Sequence, residues 1–94
     1  ITHRNLATVI DGASLRKLER TNRVPPEPDA VLIEAVARGS AASLRGLRAG
    51  DIVLGANRKP VHSEEELISI AENADRMLIL DIQRDDGRIA VLIQ

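Results

Sequence analysis

Not one of the 94 residues is Phe, Tyr or Trp, so any core this chain builds must come from Val, Ile, Leu and Ala. The same absence leaves no platform on which the bases of single-stranded nucleic acid could stack. A net charge of −1 argues in the same direction, against a nucleic-acid partner held by counterion release. The apolar fraction of 44% and charged fraction of 29% are ordinary for one globular domain. A chain of this length supports a single modest core, so residues 1–94 read as one domain. It begins at Ile1 rather than Met, which reads as a piece excised from a longer chain.

The absence of cysteine leaves no disulfide framework and no thiolate metal site. No apolar run approaches the roughly 20 residues of a spanning helix, so no direct membrane insertion is expected. His3 and His62 are the only histidines, and they lack the spacing of a metal pair. Ser40 and Ser63 read as helix caps, and no serine lies in G-x-S-x-G. Glu64, Glu65 and Glu66 fan around one helical turn and cannot converge as an acid–base pair. The glycines form neither G-x-G-x-x-G nor a P-loop. These exclusions predict a chain with no catalytic residue, no metal and no cofactor.

Hydropathy and turn signals predict the order β, loop, β, short α, β, α, β, β. Ala13 to Leu18 fits a strand or a helical turn. Residues 21–29 hold three of the four prolines and read as an exposed Pro-rich loop. With Arg4, Arg16, Lys17, Arg20 and Arg23, the first part of the chain reads as a solvated, mobile basic segment. A weaker reading makes Arg16 to Pro28 a partner-specific insertion. Ala30–Val36 and Ile52–Asn57 are strands, and Asn57-Arg58-Lys59-Pro60 is a polar turn. Ser63-Glu64-Glu65-Glu66 is a capping box that opens a helix, with Leu67, Ile70 and Ala74 as its core stripe. Leu78, Leu80 and Ile82 alternate along a strand that turns at Arg84–Gly87 into the last one.

The stretch from Gly39 to Asn57 (G-S-A-A-S-L-R-G-L-R-A-G-D-I-V-L-G-A-N) resembles the glycine- and Gly-Asp-containing signature of bacterial PDZ domains, with Ala41 where that family usually has proline. Ile79–Arg84 and Ile89–Gln94 resemble the closing hairpin of the second PDZ domain of HtrA/Deg-type proteases, and Ile10–Leu15 resembles its first strand. The resemblance implies an α+β fold, a small partly open β-barrel or sandwich of five to six strands with one short and one longer helix. It also implies a non-catalytic module of a periplasmic or cell-envelope serine protease. Its expected partners are peptide or unfolded-protein segments, joined by β-strand addition. The alternative is an architectural module contacting other domains or protomers of the parent protease.

Carried over residue by residue, the carboxylate loop falls on Ala7, Thr8, Val9 and Ile10. Val9 stands at the position where the family's loop has glycine. The strand offered to the peptide starts at Ile10 and runs through Asp11, Gly12 and Ala13. Glu64, Ile68 and Ala71 line the groove from the helix side away from the core stripe, at i, i+4, i+7.

Overall fold

The computed structural model describes residues 12–74, 77–85 and 87–93. Its elements are β1 (Ala13–Leu18), β2 (Ala30–Val36), α1 (Ala41–Leu44), β3 (Ile52–Ala56), β4 (Lys59–Pro60), α2 (Glu64–Asn73), β5 (Leu78–Arg84) and β6 (Gly87–Ile93). All pairings are antiparallel, in the order β1-β2-β3-β5-β6, with the two-residue β4 on a side branch of β3. This is an open sheet of five to six strands with two helices, as the sequence implies. The polar turn expected at residues 57–60 is half strand. Asn57 and Arg58 both take positive φ, 49° and 68°, the conformation of a two-residue hairpin turn, and this folds β4 back onto β3.

The core uses the sheet's alternation. In β5, Leu78, Leu80 and Ile82 are fully buried, while Asp81 between them is exposed. Val31 and Ile33 of β2 and Val53 of β3 join them. Each such aliphatic side chain contributes about 2 kcal/mol by leaving water. From α2 the buried stripe is Leu67, Ala71 and Ala74. That corrects the expected stripe in one position: Ile70 is only half-buried and Ala71 takes its place. Ser63 caps α2, its Oγ accepting from Glu66 N at 3.3 Å. The other arm of the expected capping box is not made, and the Glu66 carboxylate lies 3.6 Å from His62 Nδ1.

Small residues shape the signature segment. Ser40 Oγ accepts from Ser43 N at 3.2 Å, and the one short turn of α1 buries Ala42 completely. Asp51, 1% exposed, closes the turn into β3 by accepting from Arg48 N at 2.9 Å. It also takes a two-pronged bond from Arg84, Nε at 2.9 Å and an Nη at 2.7 Å, and the same guanidinium donates to Gly46 O at 2.8 Å. Burial opposes ionisation of Asp51, but the hydrogen bonds and charge of Arg84, with the Arg48 amide, outweigh it and hold the carboxyl below its ordinary 3.8.

Hydrogen bonds gather the Pro-rich loop around Arg20. Arg20 is 6% exposed and sits inside the loop's curve. Its carbonyl accepts from Arg23 N and Glu27 N, its amide donates to Asp29 Oδ1 at 2.9 Å, and its Nε donates to Pro28 O at 2.9 Å. An ion pair at 3.0 Å joins it to Glu27. The bond from the Arg20 amide holds Asp29 below its ordinary carboxyl value against desolvation, with Lys17 and the Thr21 amide helping. Arg16 pairs with Glu34, so most of the segment's positive charge is answered locally.

Candidate functional site

β1 is a terminal strand. Among the described residues it pairs with β2 alone, in the register Ala13↔Val36 to Leu18↔Ala30, with a bulge between Ser14 and Leu15. No described strand pairs with its second edge, and an unpaired strand edge carries main-chain donors and acceptors that another extended chain can join. α2 packs beside it. Ala13 and Leu15 of β1 and Ile68 of α2 are half-buried against the core, so the strip between strand and helix has an apolar lining. Ser14, Arg16 and Lys17 are exposed.

The strand's start is set by Gly12. It takes φ +94°, a left-handed conformation in which a side chain is strained, and its carbonyl accepts from Ala37 N at 2.8 Å. A Cβ at this position would lie 2.2 Å from Ser40 Cβ. Gly12 is thus pressed against the residue that caps α1, and only glycine fits.

Of the expected site residues, Ala7, Thr8, Val9, Ile10 and Asp11 lie outside the described residues. Gly12 is placed in the turn before β1, not within the strand, and Ala13 is the strand's first residue. Glu64, in the first turn of α2, is partly exposed, and Ile68 stands four residues on, between core and solvent. Ala71 departs from expectation: it is fully buried and presents no surface to a groove. At about 100° per residue, 67, 71 and 74 form one stripe, and the helix is rotated so that this stripe faces inward. Ile68 then borders it on one side and Ile70 on the other.

Sequence reasoning missed the two arginines that hold the surrounding loops. Arg84 meets Asp51 across 33 residues of chain, a separation with no local signal. Arg20 had only its position before a proline-rich loop to mark it. His62 sits beside the α2 cap with Glu66 as its neighbour. Among the described residues no three His, Asp or Glu side chains could share a metal ion, and no helix is long and apolar enough to cross a membrane.

Comparison with known proteins bears on this geometry. The family model of the PDZ domain matches residues 32–84. Over 64 residues, 68% of this chain, it is 39% identical to the periplasmic serine endoprotease DegP of Salmonella typhimurium and 36% to DegP of Escherichia coli K12. Over its whole length it is 26% identical to the putative serine protease HhoA of Synechocystis. The matched regions make up 14% of each DegP and 26% of HhoA, so the chain corresponds to a small part of these relatives. Among solved structures, the HtrA3 PDZ domain bound to a phage-derived ligand (FGRWV) superposes with a TM-score of 0.72 at 23% identity, covering 87% of this chain and 79% of that one.

Proposed function

The chain belongs to the PDZ domain family, and from that premise we propose that it is a non-catalytic interaction module of an HtrA/Deg-type serine protease, binding extended peptide segments, C-termini of unfolded proteins among them. The observation that carries this reading is the available edge of β1 beside α2, with a positive-φ glycine at its start. An incoming chain pairs with Ala13–Leu18 and extends the sheet by one strand. Its apolar side chains rest on Leu15 and Ile68, and Glu64 at the start of α2 favours a basic or hydroxyl side chain. Gly12 brings a positive-φ glycine to the start of this strand. That the HtrA3 PDZ domain is bound to a phage-derived ligand (FGRWV) supports a peptide as the partner. The periplasmic relatives support an envelope location.

Titrating isotope-labelled chain with peptides ending in aliphatic residues tests this directly. The expected result is shifts confined to the amides of Gly12–Leu18 and of α2 around Ile68. A diverse peptide library that moves none of these at about 1 mM, the weakest affinity worth crediting, would end the reading.

A further inference from the structure

Between the β3–β4 hairpin and β6 lies a hollow of about 280 Å³, and Arg58, Lys59, Asp81 and Arg88 all line it. Asp81 places it on the face of the sheet turned away from the core, because Leu80 and Ile82 on either side are buried. Asp81 stands opposite Ala90 and Gln83 opposite Arg88, so Asp81 and Arg88 project from the same face of the β5–β6 pair. Gly55, the register partner of both Asp81 and Pro60, lines the hollow without a side chain. A Cβ there would lie 2.9 Å from Lys59 O, so a larger residue cannot fill the space from that position.

Three cations and one carboxylate therefore share one concavity. All four residues are exposed, and among the described residues none of them forms an ion pair. Arg16, Lys17, Arg20, Arg23 and Arg84, by contrast, each have an acidic partner. Arg58 is also held where its backbone resists it. Asn57 and Arg58 are the central residues of the hairpin turn, at φ 49° and 68°, and at the second of these positions such a turn favours glycine. Strain of this kind collects at binding and switch sites, and the hollow is what this side chain lines.

We propose that this hollow binds a phosphate-type dianion that also carries a hydroxyl. Arg58, Lys59 and Arg88 donate to its oxygens, and three cations less one carboxylate leave two positive charges to match its two negative ones. Asp81, an acceptor only, takes the hydroxyl hydrogen. Monohydrogen phosphate has both features in one ion, and the phosphate monoester of a polyol has them in one molecule. Sulfate has the charge without the hydroxyl. No residue of β1 or α2 lines the hollow, so the site stands or falls apart from peptide binding.

Inorganic phosphate titrated into isotope-labelled chain, at an ionic strength held constant with chloride, reads the site. Saturable shifts are expected at the amides of Gly55, Arg58, Lys59, Asp81 and Arg88, half-complete at about 1–10 mM for a site this open to solvent. Glycerol phosphate in a parallel titration tells whether the group is taken free or on an alcohol. Binding of either supports the site, and shifts from neither overturn it. Sulfate should bind about five-fold more weakly than phosphate, and Asp81→Asn should narrow that gap. Sulfate that binds as tightly as phosphate overturns a hydroxyl-bearing ligand. Arg58→Gly is the sharpest variant, because glycine suits the backbone there. It should melt at or above the wild type and yet lose phosphate affinity about ten-fold. Arg88→Gln, an exposed change on β6, should weaken phosphate with the fold intact. Unchanged affinity in both variants, or the same shifts from chloride alone, overturns the proposal.

Discussion

Arg84 and Arg20 each use a guanidinium to close a loop, but they do so on different scales. Arg84 reaches across 33 residues to a carboxylate that is 1% exposed, joining the end of β5 to the turn before β3. Arg20 ties only its own loop, with partners no more than nine residues away. Removing one partner from a buried long-range pair strands a charge in the interior, whereas loosening a local knot frees a segment that water can solvate. The first bond belongs to the fold's global stability, and the second to the order of one loop.

The sharpest way to break this comparison is Arg84→Met. It leaves Asp51 buried with the Arg48 amide as its remaining partner, and should cost about 3 kcal/mol in urea unfolding at neutral pH. The loss should shrink on acidification. In the wild type the carboxyl is held below its ordinary 3.8, so the folded state binds fewer protons than the unfolded one. The stability this provides is complete above that value and disappears as pH falls through the lower folded value. An acid limb unchanged by the substitution would contradict the assignment.

Next in size is Gly12→Ala, which meets Ser40 at 2.2 Å and forces a side chain into positive φ. About 2 kcal/mol of destabilisation is expected. Peptide-induced shifts at Ala13–Leu18 should be lost in the fraction that stays folded. Arg20→Ala comes third, at about 1 kcal/mol. Its signature is local: faster hydrogen exchange at the Arg23 and Glu27 amides, with β5 protected as before. Global exchange rising in step would show that the loop is not a separate unit. Smallest is Arg16→Ala, an exposed pair with Glu34, expected to shift the unfolding midpoint by less than about 0.5 kcal/mol.

These scales also explain what could be read from the sequence. The order of elements along the chain (β4 apart), both caps and the alternation of β5 depend on residues within a few positions of one another, and were legible. So was the turn at Asp51, but not its arginine. The core stripe of α2 failed at Ile70 because Leu, Ile and Ala recur at nearly every position from 67 to 71, and only the helix's rotation against the sheet chooses among them. Of the two helix residues expected beside the strand, Ala71 is buried in the core and Ile68 stands between core and solvent. The strand carried over for the groove ran through Gly12, which instead lies in the turn before β1. Its constraint comes from Ser40, 28 residues away.

That last contact has a consequence for how the domain can vary. Ser40 faces two ways, its hydroxyl finishing α1 while its Cβ forms the wall against which Gly12 rests. A side chain at position 12 meets Ser40 and a positive φ together, so shrinking position 40 to glycine would relieve only the first, and it would also remove the hydroxyl that caps α1. Two sites distant in the chain are therefore coupled, and change at the start of β1 is constrained by the small helix.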